Sequence, residues 1–445
     1  MIRKISCGVG ALGASMFAAT AAMAQEAAEA APAVANPGNN AWMMTSTVLV
    51  LMMILPGLAL FYGGLTRSKN MLSTMTQVGA AAALAMLIWV CWGYSLAFGA
   101  TSYEGMLGSF ISGGSYFLSS VTVDSTAATF SDEVISEYVF VSFQMTFAAI
   151  TAALVFGATV ERLKFSAAMV FTAIWLTIVY FPIAHMVWAG GGLMFEWGAL
   201  DFAGGTVVHI NAGVSALVAC LILGKRQGFP AEPMPPHSLT LTMVGAGLLW
   251  VGWFGFNAGS ELEADGTAGL AMINTFVATA AAGLTWMVVE RLSGHKASAL
   301  GFASGIIAGL VAVTPAAGNS GPLGAIVLGA VASAVCFFAV SKLKPKLGYD
   351  DSLDAFGIHG IGGMIGAIGT GIVYSPALGG PGGDDFAMGA QVWIQIKSVL
   401  VSIGWAGVGT AIAIYIAKAL TGLRVSPEVE SDGLDIGEHG ERAYN

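Results

Sequence analysis

The chain has 445 residues, of which 56% are hydrophobic and only 10% are charged, with a formal net charge of −9 and a mean hydropathy of +0.77. Soluble domains carry about 25% charged residues, so this composition excludes an ordinary soluble domain and indicates a membrane protein. The acidic balance does not suggest nucleic-acid binding, and the four scattered cysteines form neither a disulfide framework nor a zinc-ligand spacing.

Residues 1–24 are predicted to be a cleaved signal peptide. A charged start at Arg3 and Lys4 precedes a short apolar run, and the small residues just before Gln25 fit a cleavage site. An uncleaved first helix is the alternative. Residues 25–40, rich in alanine, glutamate and proline, are predicted to be a polar segment on the periplasmic side.

Residues 41–421 are predicted to form an all-α membrane domain of eleven transmembrane helices, since each apolar stretch approaches or exceeds the roughly 20 residues that a span needs. The predicted spans are 42–66, 72–99, 134–158, 166–191, 204–224, 237–259, 267–292, 298–314, 321–341, 353–374 and 391–421. No structure is predicted for the glycine- and serine-rich stretch 100–133.

The distribution of basic residues predicts the topology. Beyond the signal, every Lys and Arg except Lys397 falls in alternate loops or in the C-terminal tail, whereas the intervening loops are acidic. Basic loops stay in the cytoplasm, so the N-terminus is predicted to be periplasmic and the C-terminus cytoplasmic. The predicted location is the bacterial inner membrane.

Two histidines occupy matching positions in the fifth and tenth predicted helices. His209 follows Asp201 by eight residues, His359 follows Asp351 by eight, and a glycine comes four residues after each histidine. Because five helices separate the two copies, helices 1–5 and 6–10 are predicted to be an inverted repeat, with a long eleventh helix outside it. An ionisable side chain at membrane depth is costly and marks a pathway or a site.

The neighbours of both histidines are small and apolar, which fits a small species that can lose its charge, with imidazole as hydrogen-bond partner or proton acceptor. A satisfied core histidine is the alternative for either residue alone, and the shared register argues against it. A zinc site would need a third protein ligand, and none is evident, so neither metal nor cofactor is predicted. No activated nucleophile is evident either, which argues against an enzyme.

Five sequence strings make the chain resemble the Amt/Mep/Rh ammonium transporter family, specifically its bacterial Amt branch. They are Phe143-Gln-Met-Thr-Phe147, Ala184-His-Met-Val-Trp188, Asp201-Phe-Ala-Gly-Gly-Thr-Val-Val-His-Ile-Asn211, Gly252-Trp-Phe-Gly-Phe-Asn-Ala-Gly-Ser260 and Asp350-Asp-Ser-Leu-Asp-Ala-Phe-Gly-Ile-His-Gly360. Together with the eleven helices they cover about residues 40–445. The resemblance implies uptake of ammonium or ammonia, with methylammonium as an analogue, through a pore in each subunit of a homotrimer.

The resemblance also implies roles for single residues along the pore. Phe147, Trp188 and Ser260 would recruit ammonium in an outer vestibule. Phe147 and Phe256 would form a phenylalanine gate below it. His209 and His359 would conduct ammonia or relay a proton. In this mechanism ammonium gives up its proton near the entrance.

Other residues are predicted to support these. Gln144 and Trp253 would help to order the vestibule. Asp201 has two interpretations, attraction of the cation or an N-cap of the fifth helix, and the capping role is favoured. Asp351 or Asp354 would cap the tenth helix in a similar way.

The tail, residues 422–445, is charged and by composition alone is a disordered end. The resemblance implies instead a cytoplasmic regulatory tail that packs under the pore and supports block by a PII signal protein. An ammonium sensor that signals through such a protein with little flux is the alternative function, and a neutral gas channel is a mechanistic alternative.

Overall fold

The computed structural model describes residues 33–444. Eleven helices in this range are long and apolar enough to cross a membrane, which confirms the predicted all-α membrane fold. Numbered α1 to α11, they are Pro37–Leu65, Ser68–Phe98, Glu137–Ala158, Phe165–Trp188, Gly205–Leu223, Leu239–Glu261, Gly266–Leu292, Ala299–Ala316, Pro322–Leu347, Phe356–Val373 and Met388–Thr421.

The first helix begins earlier than predicted. The signal-peptide prediction for 1–24 lies outside the described residues, but α1 starts within the segment predicted to be polar. Asn36 Oδ1 accepts hydrogen bonds from the backbone N–H groups of Gly38 and Asn39, at 2.9 and 3.1 Å, and Pro37 occupies the first turn. Asparagine as N-cap and proline just after it both favour a helix start here.

The stretch 100–133, together with the residues just after it, contains two small antiparallel hairpins. Strand β1 (Thr101–Ser102) pairs with β2 (Ser112–Gly113), and β3 (Thr126–Ala128) pairs with β4 (Val134–Ser136). Between β3 and β4, the N–H and the hydroxyl of Ser131 both donate to the carboxylate of Glu263, each at 3.0 Å. The hairpins therefore tie this loop to the connection between α6 and α7.

The inverted repeat is visible in α5 and α10. Each begins with a wide π-helical turn that carries its histidine, Gly205–Ile210 or Phe356–Gly360, and each continues as 13 residues of regular α-helix. The two helices cross so closely that a Cβ on Gly213 would collide with the backbone of Gly360. Small residues permit this approach, and it brings the two histidine-bearing turns together.

A buried charge network joins the loops at the end of the bundle that carries the tail. Arg226 is its centre, with Nη1 2.7 Å from Glu161 Oε2 and Nη2 2.7 Å from Asp350 Oδ1. Arg67 also contacts Glu161, at 3.0 Å, and Arg162 donates to the backbone oxygen of Asp350 at 2.7 Å. Although burial opposes ionisation of Glu161, the charges of Arg226 and Arg67 hold its pKa below the ordinary value.

Replacing Arg226 with methionine is expected to destabilise the protein by about 3–5 kcal/mol, because the buried carboxylates of Glu161 and Asp350 both lose an ion pair and Glu161 keeps only Arg67. The melting temperature in detergent measures this, and Lys225→Met, which removes a neighbouring exposed charge, is the matched control. Because the pKa of Glu161 lies below its ordinary value, the stabilisation is present above about pH 4 and is lost as the pH falls further. An Arg226 variant as stable as wild type would contradict this account.

The tail is packed, contrary to what its composition alone predicts. After α11 it forms two short helices, α12 (Pro427–Asp432) and α13 (Leu434–His439). The carboxylate of Glu430 accepts hydrogen bonds from Arg424 Nη2 and from the N–H of Gln227, both at 2.7 Å. Asp435 accepts from the N–H of Ser73 at 2.8 Å. The described part of the tail therefore lies against the ends of α2 and α5.

Candidate functional site

An outer cavity of about 400 Å³ opens at the end of the bundle opposite the tail. It is lined by the three residues predicted to recruit substrate together with three neighbours: Phe147, Trp188, Ser260, Gln144, Asp201 and Glu261. The cavity thus gathers side chains from α3, α4, α6 and the segment before α5, which are far apart in sequence.

Hydrogen bonds fix two of the lining side chains. The indole N–H of Trp188 donates to the backbone oxygen of Asp201 at 2.9 Å. The rings of Phe147 and Trp188 meet edge to face, with centroids 5.7 Å apart. The hydroxyl of Ser260 donates to the backbone oxygen of Phe256 at 2.8 Å. With its proton directed at the helix, the Ser260 oxygen retains lone pairs that can accept a hydrogen bond.

Asp201 caps the π-helical turn of α5. One carboxylate oxygen accepts from the N–H groups of Gly204 and Gly205 at 3.0 and 2.6 Å, and the other from Thr206 and Val207 at 2.8 and 3.1 Å. This is the geometry of a helix cap, as the sequence favoured. Burial raises the pKa of Asp201 to about 6 in spite of these hydrogen bonds.

Asp351 makes the corresponding cap on α10. Its two oxygens accept from the N–H groups of Ala355 and Phe356, at 3.0 and 2.8 Å. Asp354, the other predicted cap, pairs instead with Lys344, whose Nζ lies 2.6 Å from its carboxylate. Of the two candidate caps that the sequence left open, the carboxylate of Asp351 therefore makes the hydrogen bonds to the start of α10 and that of Asp354 does not.

Two stacked rings close the floor of the outer cavity. The ring centroids of Phe147 and Phe256 are 4.2 Å apart, and the ring planes differ by 21°. Both side chains are fully buried. Phe147 lines the outer cavity, whereas Phe256 lines a much smaller inner cavity together with His209 and His359. The stacked pair therefore separates the two spaces.

The two histidines form a buried pair below the stacked rings. Their Nδ1 atoms are 3.3 Å apart and their ring centroids 5.3 Å apart. A neutral imidazole has one donor and one acceptor nitrogen, so one Nδ1 donates to the other. Within residues 33–444 the Nε2 of His209 has no hydrogen-bond partner. A small molecule that reaches the pair therefore finds an unused polar atom among apolar walls.

Trp253 lies beside the histidine pair and not on the wall of the outer cavity. Its ring stacks against that of His209, with centroids 5.3 Å apart, and its indole N–H donates to Thr314 Oγ1 at 2.9 Å. The support that Trp253 is predicted to give the vestibule stays a prediction. The sequence indicates the position of this ring, because Trp253 precedes Phe256 by three residues and therefore lies on the same face of α6.

A further cavity of about 420 Å³ lies on the tail side of the histidine pair. Its lining includes Ile358, beside His359, and the charged side chains of Lys344 and Asp354. Among residues 33–444, no three His, Cys, Asp or Glu side chains are grouped so as to hold a metal ion. The outer cavity, the stacked rings and the histidine pair thus follow one another, and the tail-side cavity shares Phe61 with the small cavity of the histidines.

Comparison with known proteins finds one family to which the chain is similar. The model of the Ammonium Transporter Family matches residues 41–444. The ammonium transporter of Aquifex aeolicus (strain VF5) is 47% identical over 425 residues, which cover 94% of this chain and 96% of that protein. The ammonium transporter of Bacillus subtilis (strain 168) is 44% identical, with 92% and 98% covered.

Two solved structures show the same fold. Mep2 of Saccharomyces cerevisiae superimposes with a TM-score of 0.78 at 36% identity, covering 88% of each chain. A structure titled "Sensor Amt Protein" superimposes with a TM-score of 0.81 at 28% identity, covering 90% of this chain and 98% of that one.

Proposed function

Since the chain belongs to the ammonium transporter family, we propose that this multi-pass membrane protein takes up ammonium or ammonia across the bacterial inner membrane. Each subunit has its own pore, with the N-terminus periplasmic and the C-terminus cytoplasmic. The observation that carries the proposal is the buried line from the outer cavity through the Phe147–Phe256 stack to the paired histidines.

The outer cavity recruits the cation. An ammonium ion over the faces of Phe147 and Trp188 is attracted by the ring quadrupoles, by about 0.5–2 kcal/mol for each favourable contact. One of its N–H groups donates to Ser260 Oγ, whose lone pairs are free to accept. Potassium has no N–H donor, so the cavity can distinguish the two ions by the direction of hydrogen bonds.

The stacked rings act as a gate against water and hydrated ions. Phe147 and Phe256 are fully buried and in contact, and a hydrated ion cannot keep its water shell between them. Rotation of the rings admits a small molecule. Because an unpaired charge is strongly disfavoured in apolar surroundings, ammonium gives up its proton on the outer side of this barrier.

The histidine pair carries ammonia onward. His209 and His359 offer hydrogen bonds in a space whose other walls are apolar, and they either conduct neutral ammonia or relay the released proton. Trp253 holds the ring of His209 in place by stacking on it. From there the molecule enters the tail-side cavity.

Replacing Trp188 with leucine is expected to raise the KM for methylammonium about two- to thirty-fold, because one cation–aromatic contact is lost. Uptake of radiolabelled methylammonium into proteoliposomes measures the change, and Ser260→Ala should act in the same direction. Trp393→Leu is the matched control, since Trp393 is an exposed tryptophan on α11. Unchanged KM in both cavity variants would remove the recruiting role.

The tail is the proposed regulatory element. Its two short helices are held by hydrogen bonds to the start of α2 and to the loop after α5, so a protein that binds there can alter the pore exit. We propose a homotrimer whose cytoplasmic face binds a PII signal protein. Transport is favoured over a sensor function because curated relatives named as transporters reach 47% identity, against 28% for the sensor structure.

Growth of a transport-deficient strain on low ammonium at acidic pH tests the proposal. At acidic pH little free ammonia diffuses across the membrane, so growth depends on a transporter. Rescue by the expressed chain is the expected result. Failure to grow, with the protein demonstrably in the membrane, would count against uptake as its function.

A further inference from the structure

Three acidic residues lie close together in and after the last turn of α6, and they differ in what holds them. Asp265 caps α7, accepting from the N–H of Ala268 at 2.8 Å. Glu263 accepts two hydrogen bonds from Ser131. Among residues 33–444, Glu261 has no salt-bridge partner, and no side chain donates a hydrogen bond to its carboxyl group. Two of the three therefore have structural partners and the third does not.

The unpartnered side chain faces the outer cavity. Glu261 is only 7% exposed, follows Ser260 directly, and lines the cavity together with Phe147 and Trp188. Leu262 comes next in the left-handed region, with φ of +64°, which a leucine rarely adopts. Leu262 lines the same cavity, and no basic side chain among residues 33–444 forms a salt bridge with Glu261 there.

We propose that Glu261 is a further substrate-binding residue of the outer cavity, which accepts a hydrogen bond from small ammonium cations. The inference rests on the proposed function and adds a charged group to its aromatic and hydroxyl groups. A buried carboxylate without a partner is unfavourable, and a cation that enters the cavity supplies the partner. In this recess the attraction between opposite charges is stronger than in bulk water.

The geometry also defines the class of ligand. The ammonium ion has four N–H groups, and the cavity offers it a carboxylate at Glu261, a hydroxyl oxygen at Ser260 and two ring faces. Methylammonium keeps three N–H groups and can use the same polar partners while its methyl group lies against the rings. A quaternary ammonium has no N–H group and cannot make the hydrogen bonds.

The test measures KM and maximal rate of methylammonium uptake in proteoliposomes made with the full chain. E261Q keeps the shape and removes the charge, and it is expected to raise KM about tenfold with the maximal rate within about twofold of wild type, since a charge-assisted hydrogen bond is lost. E104Q is the matched control, because Glu104 is an exposed glutamate in an outer loop that does not line the cavity. Its KM should equal that of wild type.

E261D separates charge from shape. It keeps the carboxylate, so its KM should stay within about threefold of wild type. An equal tenfold rise in the aspartate and glutamine variants would assign the effect to packing and overturn the inference, as would an E261Q protein with wild-type KM. E261A serves the same comparison if the glutamine variant is not recovered in folded form. A folded wild-type protein with no uptake would instead overturn the proposed function.

Discussion

Replacing His209 or His359 with alanine is expected to lower the selectivity for ammonium over potassium at least tenfold, equivalent to about 1.4 kcal/mol, while the protein still folds. Each substitution removes a ring from the buried pair and leaves the Nδ1 of the other histidine without its partner at 3.3 Å. The space that opens has polar atoms and room for water, which favours hydration of the pore. A hydrated pore lets potassium pass as well as ammonium, because the permeating ion no longer has to lose a proton.

Currents recorded from the purified variants in ammonium and in potassium give this selectivity directly. His237→Ala is the control, because His237 lies at the tail end and bonds to the backbone oxygen of Thr66, away from the pore. Size-exclusion profiles identify variants that fail to fold. If both pore variants keep wild-type current and selectivity, the histidine pair has no part in conduction.

Truncation of the proposed gate is expected to have the second large effect. For Phe256→Ala we expect ammonium flux to change at least tenfold and a potassium conductance to appear. The phenyl ring fills the space between Phe147 and His209, at centroid distances of 4.2 and 6.0 Å, and its loss joins the outer cavity to the histidine pair. Burial of the ring also stabilises the fold, so the variant should melt at a lower temperature, with about 3–5 kcal/mol lost.

Phe254→Ala is the matched control for this variant. Phe254 lies two residues earlier on α6, and its ring packs on Phe276 with centroids 4.2 Å apart rather than on a pore residue. It is expected to lose some stability and to keep wild-type conductance and selectivity. Wild-type conductance in Phe256→Ala as well would show that this ring is packing and not a gate.

The helices and their repeat were predictable from the sequence because a membrane imposes a simple rule. A span needs about 20 apolar residues, and basic loops stay on one side, so hydropathy and charge define eleven helices without any knowledge of packing. The shared spacing of Asp201 to His209 and of Asp351 to His359 then indicated matching elements. The structure adds that both aspartates cap π-helical turns of the same kind.

What the sequence could not provide depends on contacts between distant segments. Glu161, Arg226 and Asp350 are separated by up to 189 positions, and nothing local indicates that they share one buried network. Composition alone predicts a disordered tail. The tail is held in place by contacts with residues elsewhere in the chain, such as the hydrogen bond from the N–H of Ser73 to Asp435, and composition does not reveal such contacts. The expectation of a packed tail came from the resemblance to a family, not from periodicity or charge.

The resemblance named the residues of the candidate site, whereas their contacts come from the structure. The resemblance brought Phe147, Trp188 and Ser260 together, and the structure places all three on one cavity. It gave Trp253 a supporting role for the vestibule, and the structure adds that the Trp253 ring stacks against His209. In the sequence Glu261 is one of several acidic residues between the basic loops, and only the structure shows that it lines the cavity.

An ammonium concentration jump on proteoliposomes of the purified protein, with current and luminal pH recorded together, tests ammonium transport most directly. We expect a saturable signal that empty liposomes lack. A positive inward current would mean that charge is carried with the substrate, and luminal alkalinisation without current would mean that neutral ammonia passes the histidine pair. A folded protein that gives neither current nor a pH change would contradict the account.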